Sequence, residues 1–195
     1  MSPGIALETE AQMAEAVAGH LRRSAREVRV EDCIFDVVAY DKQGKLFKLV
    51  ECKLGSQATN IGHAFGQVAA YYAVVTDRGF EFVNALSKKL PLSFARLMEA
   101  TENARRIRVA FYVALTDEAC KRVDLIRSVK LLLPSVGVIR VKSDGKCRSC
   151  LWNRGKRDYE LAEAQPTVVQ ILPRNVAQTE ESLIPEIAGN SEVRS

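Results

Sequence analysis

The sequence predicts an α/β domain with a mixed central sheet flanked by helices, and three observations lead there. Two runs rich in β-branched and aromatic residues, Ile34–Asp41 and Leu46–Leu54, are separated by four residues that include a glycine, the pattern of a hairpin. A near-continuous apolar run, Ile107–Leu115, has the composition of a strand buried on both faces. Around these lie segments of helical periodicity, giving the order helix, strand pair, helix, strand, helix, strand that belongs to α/β architecture.

Taken in order, Glu8–Arg26 reads as a helix with an apolar stripe at Ala14, Val17, Ala18 and Leu21. Glu10 continues that stripe, whereas Glu8 falls on the polar face with Gln12, Glu15 and Arg22. Val28–Val30 reads as a short strand. A turn at Gln43-Gly44 sets Lys42 opposite Lys45 and, further along, Asp36 opposite Glu51. Alternation then places Val38, Tyr40, Phe47 and Leu49 on one face, with Phe35, Val37, Ala39 and Val50 on the other. Gly55–Asn60 has loop composition, and Ile61–Val75 follows as a helix on which Gln67 and Tyr71 share a face. Glu81–Ala104 is expected to be mostly helical, broken near Pro91. After the Ile107–Leu115 strand, Thr116 caps a helix running through Leu133 with Asp117 and Glu118 in its first turn. A last strand, Val136–Val141, ends at the turn Ser143–Gly145. Residues 1–172 therefore form one domain, and 173–195, acidic and without aromatics, read as a flexible C-terminal tail.

At 195 residues and 47% hydrophobic content the chain is long enough to bury a core. Its acidic start lacks the apolar run of a signal peptide, and no apolar stretch reaches the ~20 residues of a membrane span. Five irregularly spaced cysteines fit reduced thiols in a cytoplasm, and without an apolar span no membrane partner is expected. The net charge of +4 is unevenly spread. Seven basic residues between Arg140 and Asp158 face two acids, and Arg22, Arg23, Arg26 and Arg29 and then Arg105, Arg106 and Arg108 form smaller groups. Such runs serve as phosphate contacts or simply as solvated faces.

The chemistry concentrates at Glu51-Cys52-Lys53. Opposed residues of a hairpin have Cβ atoms ~5 Å apart, so Asp36 and Glu51 repel each other among apolar neighbours. Lys53, two residues on and on the same side, neutralises one of the two. The charge left over suits a hard divalent cation, Mg²⁺ or Mn²⁺. The competing reading is an acid–base trio that ties two strands together.

The order helix glutamate, strand aspartate, Glu-x-Lys, then glutamine on the next helix resembles the PD-(D/E)XK nuclease superfamily. The matching residues are Glu10, Asp36, Glu51, Lys53 and Gln67, the last within Gly66–Tyr72. Phe35 stands where the name-giving proline would be. The resemblance covers roughly residues 5 to 143 and implies a restriction-endonuclease-like αβββαβ core. It implies that Asp36, Glu51 and the backbone carbonyl of Cys52 hold Mg²⁺ (Mn²⁺ substituting), with Glu10 completing the outer metal shell. Lys53 would orient or deprotonate the attacking water, and Gln67 would position Lys53 or a phosphate. The implied activity is a Mg²⁺-dependent endonuclease acting on DNA. Arg148, Arg154, Lys156 and Arg157 are the candidate nucleic-acid contacts, and a homodimer is compatible with this reading. The alternatives are a nuclease for RNA or branched junctions, and a nuclease-like module that binds nucleic acid or protein without cutting.

Other groupings carry less. Cys147-x-x-Cys150 has no second ligand pair for a closed zinc site. His63 starts a helix near the acids, and Trp152 and Tyr159 among the basic residues could stack on bases.

Overall fold

The computed structural model describes residues 7–43, 45–90, 92–93, 96–97, 101, 106–133, 135–149, 151–152, 161–163 and 168–171. Helix α1 (Glu10–Leu21) starts at a capping box: Gln12 N–H donates to Thr9 Oγ1 at 3.2 Å, and Thr9 N–H donates back to Gln12 Oε1 at 3.1 Å. The expected helix is shorter at both ends. Glu8 precedes the cap, and Arg22 and Arg23 take positive φ values of 53° and 40°, which stops the helix. Ser24–Val30 is strand β1 rather than the last turn of the helix, its valines Val28 and Val30 buried and Arg29 exposed between them.

Strands β2 (Cys33–Asp41) and β3 (Leu46–Lys53) pair antiparallel in the expected register, Val37 with Val50 through Tyr40 with Phe47. Gln43 N–H donates to Asp41 Oδ1 at the turn, and Lys45 takes φ 50°; Gly44 lies outside the described residues. The paired residues end at Val37–Val50, one short of Asp36 and Glu51. On the other side of β2, the pairs Arg26–Val37 and Val28–Phe35 flank an unpaired Glu27–Asp36 step, with Glu27 at φ 50°. This left-handed residue interrupts the pleat, so strict alternation fails there. Phe35 consequently packs on the same side as Val38 and Tyr40, not on the opposite one.

From β3 the chain crosses through α2 (Ala58–Asp77) and α3 (Gly79–Lys89) to β4 (Ile107–Thr116), parallel to β3. Pro91 and most of residues 94–105, where the expected helix continues, lie outside the described residues. Thr116 caps as expected, accepting from Ala119 N–H, but the helix is split into α4 (Asp117–Cys120) and α5 (Val123–Leu132) because Arg122 leaves helical geometry. Strand β5 (Gly137–Val141) is parallel to β4. The turn at Ser143–Gly145, Gly145 at φ 75°, returns the chain as β6 (Cys147–Ser149), antiparallel to β5. Strands β7 (Leu151–Trp152) and β8 (Leu161–Glu163) form a separate pair, and β9 (Val169–Ile171) lies antiparallel against the first half of β4. The outcome is α/β: a seven-stranded mixed sheet, β1-β2-β3-β4-β5-β6 with β9 on β4, between helices.

Two apolar layers hold it. On one side α2 and α3 meet the sheet through Phe35, Phe47, Phe65, Phe82, Leu49 and Leu115, all essentially inaccessible. On the other, Met13, Ala14 and Val17 of α1 cover Val37, Val50, Cys52, Ala114 and Ile139. Each buried Val, Leu, Ile, Phe or Met among them contributes about 1.5–3 kcal/mol by burial. Among the described residues no helix is long and apolar enough to cross a membrane. The tail expected at 173–195 lies outside the described residues.

Phe35 stacks on Tyr71 (ring centroids 4.5 Å) and Phe82 (5.2 Å). Phe35→Ala is therefore expected to cost about 3–5 kcal/mol of unfolding free energy, measured by urea denaturation. A loss below about 1 kcal/mol would contradict the placement of this ring.

Candidate functional site

Where β2 parts from β3, a side chain replaces the ladder: Cys52 N–H donates to Asp36 Oδ2 at 2.8 Å. Glu51 follows the alternation of Phe47 and Leu49 onto the α2 side. Among the described residues it is the one charged side chain that is fully buried, 3% exposed. Tyr71 comes down from α2 to meet it. Its hydroxyl donates to Glu51 Oε2 at 2.5 Å, reaches Ile34 O at 3.0 Å, and accepts from Asp36 N–H at 3.3 Å. The Asp36 and Glu51 carboxyl groups share a hydrogen bond of their own. One buried hydroxyl thus fixes both acids, one through its carboxyl group and one through its backbone.

Burial, then the neighbouring Asp36 charge, pushes Glu51 up to about 8, against the hydrogen bond from Tyr71. Burial also raises Asp36, opposed by the Cys52 N–H and by the Glu51 hydrogen bond. The proton near neutral pH therefore sits on Glu51 and is donated to the Asp36 carboxylate, and the two titrate as a pair. Burial and the same two acids hold the Tyr71 hydroxyl protonated far above its usual range.

Lys53 ends β3 and makes an ion pair with Glu10, the first residue of α1, at 2.9 Å. The hydrogen bond to Glu10 raises the ammonium above its ordinary value, against burial, which lowers it. Because α1 and α2 lie on opposite faces, Asp36, Glu51, Lys53 and Glu10 gather where β3 runs out at the end of the sheet. Loop 54–57 then leaves through Gly55 at φ 90°, where a Cβ would strike the Asn60 amide.

Four of the five residues expected from the sequence are thus brought together. The fifth, Gln67, is exposed on α2 and lines a cleft with Cys33, Ile34, Glu31 and Tyr71. Among the described residues no hydrogen bond joins it to Lys53. The α2 residue that reaches the acids is Tyr71, one turn on and on the same helical face, which the i, i+4 spacing from Gln67 signals. Cys52 contributes its backbone N–H here, its side chain buried on the α1 side. Arg148 belongs to β6, opposite Arg140; Arg154, Lys156, Arg157, Tyr159 and Cys150 lie outside the described residues. Cys147 is half-buried, its thiol raised to about 11 by burial, and His63 is exposed. Among the described residues no three His, Cys, Asp or Glu side chains converge on a metal position. Compared with protein families, with curated proteins and with solved structures, the chain finds no match.

The raised carboxyls give the metal-free protein a defined pH response. Between about pH 5 and 8 the native state keeps a proton on Glu51 that the unfolded chain has released, so stability falls as pH rises. The slope is on the order of 1.4 kcal/mol per pH unit for one proton. Glu51→Gln keeps the shape and removes this titration. Its urea-unfolding free energy is expected to lose most of that slope and to exceed wild type at pH 8. Equal slopes for the two proteins would contradict the buried, proton-holding Glu51.

Proposed function

We propose that this protein is a divalent-metal-dependent nuclease that hydrolyses phosphodiester bonds of DNA. The observation that carries the proposal is the hydrogen-bonded Asp36–Glu51 pair, desolvated and short of positive charge, beside a lysine held by Glu10. The resemblance of these residues to the PD-(D/E)XK arrangement supports the same reading.

The residues fit a hard cation. Both acids offer oxygen donors at one spot, their repulsion is relieved in part by a shared proton, the Tyr71 hydroxyl and the Cys52 N–H, and the nearest ammonium is committed to Glu10. Asp36 and Glu51 would hold Mg²⁺ or Mn²⁺, with the Cys52 carbonyl and Glu10 as further oxygen donors. When bound, the cation would lower the pKa of a coordinated water and stabilise charge on the scissile phosphate.

The chain's own groups do the rest. Lys53 stays protonated at neutral pH, so it donates hydrogen bonds to a phosphoryl oxygen or to the attacking water and does not act as the base. Glu10 holds the ammonium in place. Tyr71 keeps the Glu51 carboxyl group oriented toward Asp36, and the Cys52 N–H does the same for Asp36. With Glu51 relieved of its proton, Asp36 and Glu51 are both available as acceptors at the water.

The test is an assay on plasmid, single-stranded and branched DNA and on RNA, with Mg²⁺, Mn²⁺ or chelator. DNA is expected to be cut only with metal. Asp36→Asn and Lys53→Ala should each slow cutting by about a hundred- to a thousandfold. No cleavage of any substrate, or full activity in Asp36→Asn, would overturn the proposal; RNA cut in preference to DNA would overturn its substrate.

A further inference from the structure

The basic residues Arg154, Lys156 and Arg157 lie outside the described residues, but a different group of cations adjoins the carboxyl pair. The registers of the parallel strands set Lys53 of β3 beside Leu115 of β4, and Leu115 beside Arg140 of β5. These three positions form one row at the carboxyl ends of the strands, the end of an open α/β sheet where ligands commonly bind. The chain just beyond that row is basic. Arg140 is ion-paired to Asp117, the first residue of α4. The Arg140 hydrogen bond, then the charges of Arg140, Lys142 and Lys121, hold Asp117 below its usual range against some burial. Arg140 therefore pairs with this carboxylate, and Lys142 and Lys121 act on it through charge alone.

Arg122 has a different role. It lies where the predicted helix is split into α4 and α5, and its Nη1 donates to Ser56 O at 3.0 Å. That bond crosses from the α4–α5 junction to loop 54–57, the segment directly after Lys53. The bond is to a neutral carbonyl, so the guanidinium charge is not cancelled by it. Counting the neighbourhood, Lys53, Lys121, Arg122, Arg140 and Lys142 stand against Glu10, Asp117 and Glu118, with Glu10 paired to Lys53 and Glu118 to Lys121. The excess is positive, and it lies along the same end of the sheet as the Asp36–Glu51 pair.

An anion that contacts these cations while presenting one phosphate to the Asp36–Glu51 pair must be long and repeat its charge along its length. We propose that the backbone of DNA crosses the carboxyl ends of β3, β4 and β5, with Arg122 and Lys142 as phosphate contacts that hold the substrate against the site. The proposal rests on the nuclease reading for what happens at the carboxyl pair, but the surface is tested by binding alone. The break between α4 and α5 then has a purpose: it turns Arg122 out of the helix and over the loop that follows Lys53. Arg122 is a positioning residue through that loop as well as a phosphate contact.

The experiment measures fluorescence anisotropy of a labelled DNA duplex in chelator, from 50 to 300 mM salt, so that no cleavage intrudes. Each lost phosphate contact flattens the plot of log affinity against log salt by about one unit. Arg122→Gln/Lys142→Gln is expected to flatten it by about two units and to weaken binding about tenfold or more at physiological salt. Arg29→Gln/Lys88→Gln removes the same charge from exposed residues on β1 and α3 and should leave both quantities unchanged. Because Arg122 also ties down Ser56, Lys142→Glu alone serves as a second variant that leaves that bond intact; it should weaken binding and flatten the slope by one unit or more. Wild-type affinity and slope in Arg122→Gln/Lys142→Gln would overturn the proposal, as would loss of binding only in the β1–α3 pair. A wild type that binds RNA but not DNA would overturn it too. Failure of the nuclease reading is read separately: a protein that binds DNA through Arg122 and Lys142 yet never cuts it keeps this surface and loses the activity.

Discussion

The contact on which the site depends is the hydrogen bond between two carboxyl groups, half-buried Asp36 and buried Glu51, gripped by the Tyr71 hydroxyl and the Cys52 N–H. A glutamate 3% exposed would be costly if ionised without a partner. The structure answers with a proton rather than a cation, since Lys53 is engaged by Glu10. The surrounding architecture follows from holding this pair. Strand β2 leaves β3 one residue early, so that the Asp36 side chain can take the Cys52 N–H that a ladder partner would otherwise have claimed. Helix α2 is pinned at the same point, because Tyr71 reaches Ile34 and Asp36 of β2 as well as Glu51 of β3.

Most of this arrangement is legible in the sequence because it depends on period-two alternation and turn length. The hairpin turn sets the register from Tyr40–Phe47 to Val37–Val50, and that register carries Asp36 to Glu51. Thr116 and the Ser143–Gly145 turn are equally local, and they form as expected. What escapes local reading are backbone departures without glycine or proline to announce them. Arg22 and Arg23 end α1 with positive φ, turning an apparent helical turn into β1, and Glu27 resets the alternation so that Phe35 changes sides. Arg122 splits one amphipathic run into two helices for the same kind of reason. Tyr71 shares a helical face with Gln67, but only the packing of α2 on β3 decides which of the two reaches the acids.

These features bear on chemistry through charge state. Lys53, paired with Glu10, keeps its proton, so the group at this site able to exchange one near neutral pH is the carboxyl pair. Under the proposed function, a divalent cation bound there would compete with that proton and, unlike it, would neutralise both acids at once. Proton and metal would thus be alternative solutions to one electrostatic problem, and the proposed activity requires the second.

Calorimetry at pH 7 in buffers of different ionisation enthalpy counts the protons released when Mn²⁺ or Mg²⁺ binds. The account predicts release of most of one proton per metal ion in wild type, and little in Glu51→Gln. Binding with no proton released, or no binding at millimolar metal, would contradict it.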